Sequence, residues 1–389
     1  MGTEGTKMKK FILVTVVVLM GVAAFVVGKT DVEAKTYTVG PNSKPLKGFN
    51  TNANNHGYFL IRSYMQKFEH GGGTLVLKKG TYKISNAIFV PSNVTIKFKS
   101  GVKLVKTNGP SSSMFQLLAD SKYNSGKKNI TSKYNGEHNI KFIGKGKVIL
   151  DMKNKNPHGA NAIGIVMGNN KNVTIKGITF QNIKKGHMIE MDGCKKVTIE
   201  KCTFKNMKTN KYKNKEAINL DTNDAKTGSF TQEWSKKDKT PNYNVTIKNC
   251  KFQKLMRAVG THRYSGGKYH TKIKFINNKV KKVNTPLGML NWKNSTVKGN
   301  TFTDCKVNSK FNYVIMMAGV KNVTFTNNSF VNCKGKYILK IYPTYQTVYK
   351  SYPATVSNLT AANLKAMKKN YSKGSTKKHI DTPEYSFDW

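Results

Sequence analysis

Acidic residues are what this chain most lacks: 19 aspartates and glutamates stand against 67 lysines and arginines, a formal charge of +48. That balance excludes a surface built to gather cations and points to polyanionic partners: nucleic acid, acidic polysaccharide or the anionic polymers of a cell wall. The lysines are spread singly, as at Lys97, Lys99, Lys103 and Lys106. This reads as a basic coat, and specific nucleic-acid recognition is not expected. Cysteine is scarce and odd in number, at five. Cys202 and Cys250 share one repeat position with Ile178, Asn278, Asn300 and Asn328, so an inward stack or a turn ladder is expected and an obligatory disulfide is not. A glycine-rich phosphate loop and Cys/His metal spacing are both missing, which removes nucleotide-loop and zinc-site readings. The apolar run Phe11 to Gly28, preceded by Lys7, Lys9 and Lys10 and followed by Val32-Glu33-Ala34, has the order of a secretory signal peptide over residues 1–34. An uncleaved anchor is the rival reading, because the run is only just long enough to span a bilayer.

What the chain does have is a repeated phrase. Asn172-Val173-Thr174-Ile175 leads to Phe180, Lys196-Val197-Thr198-Ile199 to Phe204, Asn244-Val245-Thr246-Ile247 to Phe252, and Asn322-Val323-Thr324-Phe325 to Phe330. Weaker copies end at Val280 and Phe302. A period of about 22–28 residues, with one double step, built from short β-branched runs marks a solenoid. Apolar residues at Phe59, Ile61, Tyr64, Met65 and Phe68, stopped by Gly71-Gly72-Gly73, predict a helix over 54–68 that caps the open end of the first coil. Short strands follow at 74–77, 80–84 and 93–98. After Tyr342 the coil pattern lapses, and 358–371 reads as a short capping helix opened by Thr360 before a tail with no assigned role.

The segment Gly71-Gly72-Gly73-Thr74-Leu75-Val76-Leu77-Lys78-Lys79-Gly80-Thr81-Tyr82, followed by Ser92-Asn93-Val94-Thr95-Ile96 and Gly101-Val102-Lys103-Leu104, resembles the opening of the pectin-lyase-like right-handed parallel β-helices. The resemblance covers roughly Asn50 to Tyr342. It implies an all-β fold, a right-handed parallel β-helix over 35–342 with a helical N-terminal cap and a C-terminal cap and tail over 343–389. It implies no single activity, since that superfamily includes polygalacturonases, polysaccharide lyases, esterases, epimerases and non-catalytic surface proteins.

Each coil carries a second strand before the repeated phrase. Taking Ile189, Ile218, Val259, Leu287 and Ile315 as equivalent inward residues leaves two outward columns. One runs Glu190, Asn219, Gly260, Gly288, Met316, and the other Asp192, Asp221, His262, Leu290, Ala318. Coil spacing then sets Asp192 and Asp221 roughly 5 Å apart and Glu190 and Asp221 roughly 8 Å apart on the diagonal. Both values suit paired-carboxylate glycoside hydrolysis, the shorter for retention and the longer for inversion. Stacked carboxylates repel, which raises one pKa toward general-acid use.

Polygalacturonases, which this part of the chain distantly resembles, place an Asn-x-Asp strand, an Asp pair, a Gly-His-Gly turn and a basic segment on successive coils. Asn219-Leu220-Asp221 matches the first pattern, and Gly260-Thr261-His262 echoes the histidine strand with Arg263 in place of the second glycine. No adjacent Asp pair follows. The expectation is therefore a secreted or wall-associated bacterial protein, monomeric and acting on polysaccharide. Its catalytic candidates are Asp192, Asp221, Glu190 and His262, with Asn219, Arg257, Arg263, Trp234, Tyr264 and Trp292 as substrate contacts. Phe230 and Trp234, in the long segment 222–243, are expected to overhang the groove, and Gly260 and Gly288 to leave room on its floor. Two alternatives stand beside hydrolysis: a polysaccharide lyase, which would use Arg257 or Arg263 and calcium, and a non-catalytic adhesin holding anionic wall polymers. Hydrolysis itself calls for no cofactor. Arg257 also aligns with Glu216, which predicts an ion pair between adjacent coils.

Overall fold

The computed structural model describes residues 35–155, 161–208, 215–261, 267–306, 312–347, 349, 351–376 and 378–388. The apolar N-terminal segment lies outside them. Among the described residues no helix is long and apolar enough to cross a membrane.

Three parallel sheets of ten strands each wind around one elongated core. A single coil shows the order: Ala162–Gly168 in the third sheet, Lys171–Lys176 in the first, Thr179–Lys184 in the second, then Gly186–Asp192 back in the third. The repeated phrase forms the first sheet, with Val173 beside Val197, Val197 beside Val245 and Val245 beside Ile273. In-register parallel pairing sets equivalent side chains one strand spacing apart, about 4.8 Å. Aromatic rings in the core consequently stack flat. Phe180 and Phe204 are 5.1 Å apart at 7°, Phe204 and Phe252 5.0 Å at 11°, and Phe302 and Phe330 4.9 Å at 8°.

The phrase opens on asparagine for a backbone reason. Asn172, Asn244, Asn294 and Asn322 have φ between 49 and 56°, the left-handed region that asparagine tolerates better than other non-glycine residues. A second set of asparagines builds the turn between the first and second sheets. Cys250 N donates to Asn278 Oδ1 (2.8 Å), Asn278 N to Asn300 Oδ1 (2.9 Å), Asn300 N to Asn328 Oδ1 (3.1 Å) and Asn328 N to Asn370 Oδ1 (2.8 Å). Cys202 and Cys250 extend this ladder, and all five cysteines are buried and unbridged.

The helix His56–Phe68 buries Leu60, Ile61, Met65 and Phe68 over the first coil. At the other end, Ala361–Lys368 is opened by a Thr360–Asn363 capping box and buries Met367. The pattern expected to lapse at Tyr342 continues beyond it. Tyr371–Lys373 adds a strand to the second sheet, Ile380–Asp381 one to the third, and Phe387–Asp388 pairs with Thr344–Gln346. These strands are two or three residues long, too short to show a period in sequence.

Candidate functional site

The outer face of the third sheet brings the predicted carboxyls together. Ile189 pairs with Ile218, Glu190 with Asn219, Met191 with Leu220 and Asp192 with Asp221. On the next coils Asn219 pairs with Gly260, Gly260 with Gly288 and Gly288 with Met316. The inward residues Ile189, Met191, Ile218, Leu220 and Val259 all enter the main core. Alternation then sends Glu190, Asp192, Asn219 and Asp221 to the opposite side.

That side is roofed. Asp192 and Asp221 are fully buried, Asn219 is 1% exposed and Glu190 6%. Part of the roof is the segment that follows Asp221. Its Phe230 and Trp234, 5.2 Å apart and edge to face, pack with Phe89, Leu118, Ile163 and Val166, apolar residues that share the third sheet's outer face or flank it. Gly168 is required beneath them, since a Cβ there would lie 2.5 Å from the Phe230 ring. Asn223 fixes the segment's base, donating to Asn169 Oδ1 (3.1 Å) and Ser235 Oγ (3.0 Å) and accepting from Thr240 N (2.9 Å). At the other end Leu290, Tyr313, Met316, Ala318, Tyr342 and Tyr345 form a second apolar patch on the sheet. The segment after Asp221 is joined to the C-terminal part of the chain where Tyr352 Oη donates to Asp224 Oδ1 (2.9 Å) and Lys239 Nζ sits 4.4 Å from the centre of the Tyr352 ring.

Several expected contacts change role. Trp234 is a roof residue packed on the neighbouring coil, and Trp292 is a core residue whose Nε1 donates to Thr261 Oγ1 (3.0 Å); neither presents a face to a sugar. Gly260 and Gly288 do not leave an empty floor. The Arg257 side chain lies across both, so that a Cβ on Gly288 would come within 2.7 Å of its Nη1. Arg257 Nη1 reaches Glu216 Oε1 at 3.0 Å, the ion pair between adjacent coils that their alignment predicts, with both side chains buried. His262, Arg263 and Tyr264 lie outside the described residues.

Burial sets the electrostatics. It pushes the Glu190 carboxyl up to about 8, with Lys215 opposing and Asp221 adding to the rise. It drives Asp192 well above the carboxylate range, helped by the charges of Glu190 and Asp221. Both Asp192 oxygens, Glu190 Oε2 and Asn219 Oδ1 lack a hydrogen-bond partner among the described residues. Leaving buried polar atoms unmatched costs stability, and a cluster of them with displaced pKa values marks a functional candidate.

Sequence reasoning passed over two buried histidines, of which His270 joins the cluster. His270, set aside as having no constellation, is fully buried; burial pushes its imidazole down to about 4, and the Asp221 charge acts in the opposite direction. Its Nδ1 accepts from Asn242 N (3.0 Å), and the Asn242 side chain in turn donates to Asp221 O (2.9 Å). His187, read as a turn residue, lies in the strand Gly186–Asp192 with Nδ1 2.7 Å from Glu216 O. The position of His270 at the head of a repeated-phrase strand, just behind the turn from the third sheet, is the signal that could have found it. Among the described residues no group of three or more His, Cys, Asp or Glu side chains is set to hold a metal ion.

A family described as a right handed beta helix region matches residues 239–372. No curated protein matches the chain. Among solved structures, the surface protein and adhesin PfbA of Streptococcus pneumoniae is similar over 91% of this chain and 100% of its own, with 16% identity and a TM-score of 0.62. A second PfbA structure aligns over 79% and 84%, with 18% identity and a TM-score of 0.54. A tailspike protein of E. coli bacteriophage HK620 aligns over 89% of this chain and 61% of its own, with 13% identity and a TM-score of 0.50. At these identities the likeness establishes the fold alone, a right-handed parallel β-helix.

Proposed function

We propose that this right-handed parallel β-helix acts on a polysaccharide as a glycoside hydrolase, with its chemistry at Glu190, Asp192 and Asp221. The observation that carries the reading is the carboxyl cluster itself: three acids stacked on adjacent strands, buried, in a chain with 19 acids among 67 basic residues. Glu190, with its pKa pushed up to about 8, keeps its proton at neutral pH and is the general acid toward the glycosidic oxygen. Asp221, one strand over on the diagonal, is the base or nucleophile, and Asp192 assists as a second proton holder. Asn219, between them in register, orients a sugar hydroxyl. Hydrolysis is favoured over elimination because Arg257, one of the two arginines a lyase would use, is already committed to Glu216. The roof has to part for a polymer to enter, and its joint at Tyr352 and Asp224 is where it would do so.

A second reading is favoured by the charge of +48 and by likeness to an adhesin: a surface protein that holds anionic wall polymers without cleaving them. One screen separates the two. The purified protein is incubated with acidic and neutral polysaccharides while new reducing ends and the ultraviolet absorbance of unsaturated products are followed. Hydrolysis gives reducing ends alone and elimination gives both. Asp221→Asn should lower turnover by about 10²–10⁴-fold while circular dichroism shows an intact fold. Binding without product from any glycan would leave the adhesin reading standing.

A further inference from the structure

A second feature lies around the corner from the carboxyl cluster, at the edge where each coil enters the first sheet. In register there stand Lys171, Lys195, Tyr243, Thr271, Lys293 and Lys321. Six strands at about 4.8 Å spacing make a track roughly 24 Å long. Two further tyrosines flank it. Lys195 Nζ lies 5.3 Å from the ring centres of both Tyr134 and Tyr243, Lys272 Nζ 5.4 Å from Tyr243, and Lys293 Nζ 5.8 Å from Tyr269. All three rings are half-exposed. Two are pinned by their hydroxyls, Tyr134 donating to Pro241 O (2.9 Å) and Tyr269 to Val356 O (3.0 Å).

The charge along this track is unmatched. Among the described residues no ion pair joins Lys171, Lys195, Lys272, Lys293 or Lys321 to an acid. Glu200, the acid on these strands, sits at their far end with Lys176 at 3.8 Å and Lys248 at 3.9 Å. Asp238, near Tyr134, is occupied by Lys133 N (2.8 Å) and the Thr240 hydroxyl (2.6 Å). Next to the lysines run the hydroxyls of Thr174, Thr198, Thr246, Thr296 and Thr324 on successive strands, broken once by Lys274.

We infer that this track binds an acidic polysaccharide lying along the solenoid axis. Tyrosine faces supply flat platforms for pyranose rings, and lysines pair with the carboxylate or sulfate of each residue. The threonine column offers hydroxyls to a polyhydroxylated chain. Coil spacing is comparable with the advance of one pyranose residue along an extended glycan, so rings and charges can repeat in step with the strands. The match of coil spacing to the pyranose repeat favours a sugar; a nucleic acid could also use the rings, and its phosphates the threonines, which the poly(dT) probe decides. The track is separate from the carboxyl cluster and binds whether or not that cluster is catalytic.

The test is affinity measurement on the full chain with three probes: soluble polygalacturonate, neutral dextran and single-stranded poly(dT). The expected pattern is tight polygalacturonate binding that weakens with salt, none to dextran, and weaker binding to poly(dT). Tyr243→Ala should cost about tenfold or more in affinity, as loss of a central aromatic contact does. Lys272→Gln with Lys293→Gln should weaken binding and flatten its salt dependence. Lys279→Gln with Lys281→Gln, an equal charge loss on the outer face of the second sheet, should change affinity by less than about twofold. Equal losses from the two lysine pairs, unchanged binding by Tyr243→Ala, tighter binding of poly(dT), or no binding to polygalacturonate would each overturn the inference. Melting curves on every variant confirm that the fold is retained.

Discussion

Glu190→Gln should stabilise this protein at neutral pH and leave it unchanged in acid. The Glu190 carboxyl is held at about 8, against an ordinary value of 4.5, chiefly because it is buried. Below about pH 4.5 both folded and unfolded chains carry the proton and the group contributes nothing. As pH rises toward 8 the unfolded chain releases its proton while the folded chain retains it, so folding stability falls with pH across that window and levels off above it. At about 1.36 kcal/mol per pH unit, the loss from this one side chain reaches about 3 kcal/mol at pH 7 and about 4 kcal/mol at pH 8, and levels off at about 5 kcal/mol above it. An amide cannot ionise in either state, so the variant escapes the loss. The assay is equilibrium urea unfolding of both proteins at pH 4.5 and 7.5. Comparing the difference between the proteins at the two pH values cancels the other titrating groups to first order. The variant should gain about 3–4 kcal/mol at the higher pH relative to the lower. An equal difference at both pH values would refute the reasoning, because it would mean that water reaches Glu190 and that the roof is open.

Other outcomes follow from the same structure. Arg257→Ala leaves Glu216 buried without its cation and should cost about 3–5 kcal/mol in urea unfolding; Glu216→Gln with Arg257→Met should recover much of that loss, since the pair is removed together. Asn300→Ala takes the acceptor from Asn278 N and the donor from Phe275 O, and should cost about 1–3 kcal/mol. Hydrogen exchange should quicken first at the Asn278 amide.

Much of the site was legible because parallel, in-register pairing is strict arithmetic. Ile189, Leu287 and Ile315 were aligned by equal spacing and Ile218 and Val259 by allowing longer turns, and the observed register matches at Glu190 with Asn219, Asp192 with Asp221, and Glu216 with Arg257. What spacing could not tell was whether an outward position meets water or another part of the chain. Polar residues such as Asp192 look the same in either case. Phe89, Val166, Leu290 and Met316 did carry the signal, since apolar residues in outward columns need a cover. Trp292 misled for a related reason: a tryptophan at the head of a strand reads as a surface platform until the turn behind it, closed by Thr261, is known to enclose it. Arg257 was placed in the correct row, but its length, which carries it over Gly260 and Gly288, is invisible to a grid of Cα positions.

The turn asparagines have one more consequence. Between Cys250, which donates, and Asn370, which accepts, Asn278, Asn300 and Asn328 each take an acceptor from the coil that follows and offer their own to the coil before. The ladder therefore has a direction, and every interior rung presents the same two faces. A whole coil spliced between Asn300 and Asn328 would find a donor on one side and an acceptor on the other, with no new turn to invent. Length in this molecule is a quantity that can change in whole steps, so the number of coils can be adjusted while the two ends, sealed by their helices, stay as they are.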